Sequence, residues 1–93
     1  MGAVYIRNTD VVFRKIADEF VLVPIRQRAV DLQSIYTLND SAAFVWELID
    51  GVRDMDEIRE KVIEEFEVDP IAAEADVREI FFKLEALTFI RRA

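Results

Sequence analysis

The second half of the sequence carries three helix-start signals, which constrain the fold more than any other feature. Asn39 is a favourable N-cap residue, and Asp54 opens an Asp-x-x-Glu variant of the capping box. Asp69 gives the third signal, because Pro70 follows it at the first helical position. Behind each signal, apolar residues recur at spacings of three and four, as in an amphipathic helix. The predicted helices span residues 40–50, 54–66 and 70–86, with Gly51 as the left-handed residue after the first.

Three β-prone runs precede the helices. Residues 11–16 and 20–25 are rich in β-branched and aromatic side chains, and the short polar break between them predicts a hairpin. Residues 34–38 form the third run, which ends directly at the first helix. Alternation along this strand places Tyr36 and Leu38 on one face, and we expect that face to pack against the helices.

The order of these elements predicts an α+β fold. A small three-stranded antiparallel sheet is followed by three helices, an arrangement similar to a winged helix-turn-helix. The chain has 93 residues, and we expect a single domain spanning residues 1–93. Residues 5–6 either start a strand or form a pinned tail, residues 88–92 either close as a strand or pack down, and residues 26–33 give no clear signal. Trp46 is expected to cover the joint between sheet and helices, with an exposed partner contact as the alternative.

The amino-acid composition argues against several classes of function. The sequence has no cysteine and no histidine, which removes thiol nucleophiles, zinc–thiolate sites and the commonest general base. Its formal net charge of −7 opposes binding to nucleic acid, whose phosphates need a basic partner. No apolar run has the length of a membrane span. We therefore expect a cytoplasmic protein without catalytic activity, metal, cofactor, nucleic-acid partner or membrane contact.

Several segments of this sequence resemble the PqqD family. The similarity extends from about residue 11 to residue 91, and its most specific part combines a Leu-Asn-x-Ser/Thr-Ala block with a later Asp-Gly pair. The segments that carry it are Val21-Leu22-Val23-Pro24, Tyr36-Thr37-Leu38-Asn39-Asp40-Ser41-Ala42-Ala43, Val45-Trp46-Glu47-Leu48-Ile49-Asp50-Gly51, Met55-Asp56-Glu57-Ile58 and the stretch from Asp76 to Glu85.

The resemblance implies a winged-helix-like domain without catalysis of its own. Members of the family act as peptide chaperones, also called RiPP recognition elements. They bind the leader of a ribosomally made precursor peptide and present its core to a modifying enzyme. In pyrroloquinoline quinone biosynthesis that enzyme is a radical S-adenosylmethionine (radical SAM) protein. The family's peptide adds as an extra strand beside the third strand, in a groove walled by the third helix.

Transferred to this sequence, that mode of binding places the peptide between the third strand and the third helix. About four backbone bonds would contribute about 2–6 kcal/mol, whereas micromolar binding needs about 8 kcal/mol, so side-chain pockets must add the rest. The expected peptide-binding residues are Ser34, Ile35, Tyr36, Thr37, Leu38, Val77, Arg78, Phe81 and Phe82. For Phe81 and Phe82, a position in the core is the alternative. Arg26 and Arg28 either contact an acidic leader or are solvated loop charges.

Two other classes of function stay open. A DNA-binding winged helix would need a basic recognition helix, but acidic residues outnumber basic ones in both the second and the third predicted helix. A protein-interaction or regulatory subunit without a peptide substrate is the second alternative. A strand-exchanged homodimer is also open, because the first two strands depend on the uncertain connection over residues 26–33.

Overall fold

The structure is a computed structural model that describes residues 2–26, 29–30 and 35–93. The strands are β1 (Tyr5–Arg7), β2 (Val11–Ile16), β3 (Glu19–Arg26), β4 (Ala29–Val30), β5 (Tyr36–Leu38) and β6 (Ile90–Arg92). The helices are α1 (Asp40–Leu48), α2 (Met55–Phe66) and α3 (Pro70–Ala86). Two residues predicted to bind peptide or leader charges, Arg28 and Ser34, lie outside the described residues.

The main sheet has β3 at its centre. β2 and β5 pair antiparallel with its two sides, and β4 pairs with the last two residues of β3. In the register of this sheet, Leu22 of β3 lies between Phe13 of β2 and Tyr36 of β5. The predicted α+β fold, a three-stranded antiparallel sheet followed by three helices, is therefore confirmed.

A two-residue turn of Ala17 and Asp18 joins β2 to β3. Ala17 has a φ of 56°, in the left-handed region. Two-residue hairpins need a positive φ at the first turn position, because only the primed turn types match the right-handed twist of the strands. Glycine reaches this region without steric cost, whereas the Cβ of alanine is crowded there. The hairpin predicted between the first two strands is thus confirmed, but its turn is closed by a strained residue.

Replacing Ala17 by glycine is expected to raise the free energy of unfolding by about 0.5–1 kcal/mol, because the relief of left-handed strain exceeds the entropy cost of glycine. Urea denaturation followed by circular dichroism measures the change. Asp18→Gly is the matched control, since Asp18 does not have a positive φ and glycine there only adds disorder to the unfolded chain. An Ala17→Gly protein no more stable than the parent would contradict the assignment of strain.

The face of the main sheet that packs on the helices is apolar. Leu22 and Leu38 are buried in the core cluster, and Tyr36 is half-buried against it. Phe13 and Phe20 stack beside them with ring centres 5.6 Å apart. The expectation that Tyr36 and Leu38 face the helices is confirmed.

Each predicted helix start has the expected side-chain cap. Asn39 Oδ1 accepts the N–H of Ala42 at 2.8 Å. Asp54 and Glu57 form the reciprocal capping box, each accepting a backbone N–H of the other. Asp69 accepts two N–H groups of the first turn of α3. These caps satisfy donors that have no partner within the helix, so the three predicted starts are confirmed.

The first helix ends earlier than predicted. α1 stops at Leu48, and Ile49 is its C-cap residue because the Ile49 N–H bonds to Trp46 O at 3.2 Å. Gly51 has the predicted left-handed conformation, with a φ of 82°, but lies in the turn toward α2 instead of directly after the cap. Its N–H donates to Tyr5 O at 3.0 Å, which ties this turn to β1.

The two segments near the chain ends pair with each other. β1 and β6 form a separate two-stranded antiparallel sheet in which Tyr5 lies opposite Arg92. The pairing continues beyond the strands, because the Ala93 N–H donates to Val4 O at 3.0 Å. Residues 5–6 therefore belong to a strand and are not a pinned tail. The end of the 88–92 segment likewise forms a strand, Ile90–Arg92.

Trp46 belongs to the core between the layers. Only 2% of the residue is exposed, and the Arg7 guanidinium carbon lies 5.7 Å from its ring centre. Trp46 is thus buried as predicted and is not an exposed partner contact. The other largest fully buried side chains come from sheets and helices alike: Leu22, Val45, Ile49, Ile58, Leu84 and Ile90.

Candidate functional site

β5 offers a free backbone edge. It pairs with β3 on one side, and among the described strands none pairs with its other side. An edge of this kind exposes N–H and C=O groups that an extended chain can bind. It corresponds to the third strand predicted from the sequence, where binding is expected.

Hydrogen-bond alternation determines which groups of β5 point outward. Ile25 donates its N–H to Asp10 O at 2.7 Å, so every second residue of β3 counted from Ile25 bonds toward β2. The residues between them bond toward β5, and Leu22, which pairs with Tyr36, is one of these. Thr37 is the next residue of β5, so its N–H and C=O are directed to the free edge. The outward groups of this short strand are therefore concentrated on Thr37.

The side chains of β5 divide between the two faces of the sheet. Thr37 is exposed, and Ile35 just before the strand is 41% exposed. Tyr36 is half-buried, and Leu38 is buried in the core. A chain that pairs with Thr37 would therefore contact Tyr36 on the helix side of the sheet and Thr37 on the other side.

Two predicted groove residues of α3 are core residues. Val77 is 2% exposed and Phe81 is 3% exposed. The Phe81 ring packs edge-to-face on Tyr5 of β1 at a centre distance of 5.1 Å. Phe81 therefore lies in the core, which was the alternative posed from the sequence, and Val77 is buried there as well.

The other two predicted residues of α3 lie on a different surface. Phe82 is 74% exposed, so it does not occupy the core position posed as its alternative. Phe82 and Arg78 line a shallow depression together with Tyr5 of β1 and Met55 at the start of α2. This side of α3 faces β1 and α2.

The main sheet meets the opposite flank of α3. Leu87, just after the helix, lines a cleft with Pro24 and Ile25 of β3. At about 100° per residue, Leu87 and Phe82 lie about 140° apart around the helix axis. Ile80 lies seven residues before Leu87 on the same flank and is partly buried against the core. Leu87 therefore meets the main sheet at the Pro24–Ile25 end of β3, where Asn8, Asp10 and Val11 line the same cleft.

The predicted basic contact at Arg26 has a backbone position close to this region. Arg26 is the last residue of β3 and pairs with Ala29 of β4. The predicted set is therefore only partly assembled: Ile35, Tyr36, Thr37 and Leu38 are contiguous, whereas Arg78 and Phe82 line another surface.

Within residues 2–26, 29–30 and 35–93, no three carboxylates come together as a metal site would require. In the same residues, no helix combines the length and apolar character needed to cross a membrane.

Comparison with known proteins relates the sequence to one family. The family model described as "Coenzyme PQQ synthesis protein D (PqqD)" matches residues 19–90. This match covers β3, β5 and all three helices. Among curated protein sequences, no match is found.

Two solved structures have a similar fold. The first, "TbiB1 in Complex with the TbiA(beta) Leader Peptide", gives a TM-score of 0.72 at 22% identity and covers 92% of this chain and 94% of that chain. The second, "Lasso peptide synthetase B1 complexed with the leader peptide", gives a TM-score of 0.75 at 18% identity and covers 96% of this chain and 99% of that chain. At these identities the similarity concerns the fold.

Proposed function

Because the chain belongs to the PqqD family, we propose that it is a RiPP recognition element that binds the leader of a ribosomally made precursor peptide. The leader adds as an extra strand to β5, with Thr37 supplying the outward N–H and C=O. The protein itself catalyses no reaction. It holds the precursor so that a separate enzyme, of the radical SAM class in the pyrroloquinoline quinone pathway, reaches the core of the peptide.

The observation that carries this proposal is the free edge at Thr37. A strand in the middle of a sheet has its backbone groups already paired, whereas β5 leaves one side available among the described strands. Two proteins of similar fold were solved with leader peptides bound, which supports a peptide as the occupant. The absence of histidine and cysteine agrees with a binding role.

Side chains must add to the backbone contacts. Thr37 offers two outward backbone groups, and at about 0.5–1.5 kcal/mol per bond they contribute well under the roughly 8 kcal/mol of micromolar binding. On the helix side, Tyr36 is half-buried and available for contact. Leu87, just after α3, lines a cleft with Pro24 and Ile25 of β3 and offers a further apolar contact. The leader is therefore expected to carry an apolar residue that reaches between β5 and α3.

Titration of the isotope-labelled protein with synthetic leader peptides tests the site. The peptides cover the N-terminal part of each short precursor encoded beside the gene, and backbone amide shifts are followed by NMR. The largest shifts are expected at Ile35 and Thr37, with Phe82 unaffected because it lies on the other flank of α3. A scrambled leader is the control. Binding that shifts Phe82 and Arg78 while Ile35 and Thr37 stay unchanged would place the peptide elsewhere and refute the proposal.

A further inference from the structure

The main sheet has a second free edge along β2. Among the described strands, β2 pairs only with β3, and with 6 residues it is longer than β5, which has 3. The Asp10 carbonyl accepts a hydrogen bond from Ile25 of β3. Because hydrogen bonds alternate along a strand, the backbone groups of the next residue, and of every second residue beyond that one, point away from β3. The residues with outward backbone groups are Val11, Phe13 and Lys15. The Val11 N–H is already donated to Asn8 O at 3.1 Å, which leaves the N–H groups of Phe13 and Lys15 for another chain.

A cavity with both apolar and polar walls lies beside this edge, and Arg7, Asn8, Thr9 and Asp50 form its polar part. It has a volume of about 410 Å³ and opens between β1, β2 and α1. Its apolar walls are formed by Ile6, Val11, Phe13, Trp46 and Ile49. A chain paired with β2 would direct every second side chain toward this cavity, so one large apolar side chain is the natural occupant.

Three cations lie near the edge, and one of them, Arg7, also lines the cavity. Arg7 lies over the Trp46 ring, Arg14 donates from Nη1 to Phe13 O at 3.2 Å, and Lys15 lies over a neighbouring aromatic ring. Within the part of the chain that the structure describes, none of the three has a carboxylate within ion-pair distance. Because Arg14 occupies the Phe13 carbonyl, it also hinders unspecific strand pairing at this edge in the free protein.

Three other cations of the protein already contact carboxylates. Arg59 and Lys83 on the helices, and Arg53 before α2, contact carboxylates at 2.7–3.3 Å. Asp50, on the rim of the cavity, is held by Arg53 at 2.7 Å. The backbone N–H groups of Arg53 and Val52 keep the pKa of Asp50 below its ordinary value, against the opposing effect of desolvation. Asp10 and Asp18 flank the strand ends, so the middle of the edge is basic in a chain of net charge −7.

We propose that the β2 edge, the cavity and these three cations form a docking site for an extended acidic segment of the enzyme that modifies the precursor peptide. This inference rests on the proposed function, because β2 and β5 lie on opposite sides of β3 and both edges can be occupied at once. The segment pairs with Phe13 and Lys15, inserts an apolar side chain into the cavity and presents carboxylates to Arg7, Arg14 and Lys15. A second copy of this chain is disfavoured at the edge, because its own Arg14 and Lys15 would lie close to Arg14 and Lys15 of the first copy.

The test uses the full chain and two synthetic probes. The acidic probe is acetyl-Glu-Glu-Phe-Glu-Val-Glu-amide, and in the control probe each glutamate is replaced by lysine. We expect the acidic probe to shift the backbone amide signals of Phe13 and Lys15 and to change the fluorescence of Trp46. The amide signal of Thr37 should not shift. The double variant Arg14→Glu, Lys15→Glu should bind the acidic probe with at least about tenfold lower affinity, and it should bind the lysine probe instead. This charge exchange separates lost recognition from lost folding, and both side chains are exposed.

Several outcomes would overturn the docking site. The first is that the amides of Phe13 and Lys15 do not shift at up to millimolar concentrations of the acidic probe. The second is that the parent protein binds both probes equally, and the third is that the double variant still binds the acidic probe as tightly as the parent. A leader peptide that shifts Phe13 and Lys15 instead of Thr37 would make the precursor the occupant and refute the assignment to an enzyme. Thr37→Pro separates the two proposals, because it removes leader binding at β5 and should leave the acidic probe unaffected.

Discussion

A Thr37→Pro variant is expected to lose leader binding while keeping the fold. Thr37 directs its N–H away from β3, so proline removes no hydrogen bond between β3 and β5. On the free edge, proline removes the donor and places its ring where the leader backbone would lie. One lost bond costs about 0.5–1.5 kcal/mol, and the steric clash adds to it, so the affinity should fall at least about tenfold. Calorimetric titration measures the affinity.

Thr37→Val is the matched control for this prediction. It keeps the backbone N–H and a β-branched side chain at an exposed position, so binding should stay within about threefold of the parent protein. Circular dichroism and urea denaturation establish that the proline variant is folded, with only a small loss of stability. A folded proline variant that binds the leader as tightly as the valine variant would show that the peptide does not pair with β5.

Phe81→Ala is expected to cost about 3–5 kcal/mol of the free energy of unfolding. Phe81 is 3% exposed and packs edge-to-face on Tyr5, so truncation leaves a cavity and removes an aromatic contact between α3 and β1. Domains of this size are stabilised by about 5–15 kcal/mol, so the loss is a large share of the total. Urea denaturation at the temperature of the binding measurements gives the value.

The neighbouring Phe82 provides the control within the same helix. It is 74% exposed, so Phe82→Ala should change stability by no more than about 0.5 kcal/mol. Leader binding to the Phe82→Ala protein should be unchanged, because Phe82 lies on the flank of α3 that faces β1 and α2. Comparable destabilisation by both substitutions would contradict the packing described for α3, and loss of leader binding on Phe82→Ala would move the site to that flank.

The helices could be predicted from local signals. Asn39, Asp54 and Asp69 satisfy the first N–H groups of their own helices, so the information lies within a few residues of each start. The pairing of β1 with β6 could not be predicted in this way. Tyr5 meets Arg92 across almost the whole chain, and a strand of three residues has little local preference before its partner is present.

The candidate site was predicted as far as the alternation of side chains allows. The period of two along β5 separated Tyr36 and Leu38 from Thr37, and the structure agrees. The period of α3 identified an apolar stripe, but an amphipathic pattern does not state which element meets each flank. Phe82 therefore looked like part of the groove, although the main sheet contacts the flank that carries Leu87.

The pairing of β1 with β6 has a consequence for how the protein can be joined to other proteins. Val4 and Ala93 share a hydrogen bond of 3.0 Å, so residues near both ends of the sequence lie together on one small sheet that is separate from the sheet carrying β5. A tether attached at either terminus therefore starts from the same place. Fusion to an enzyme at one terminus or the other should give similar reach, and a short loop joining the termini should allow the chain to be opened at the Ala17 turn by circular permutation.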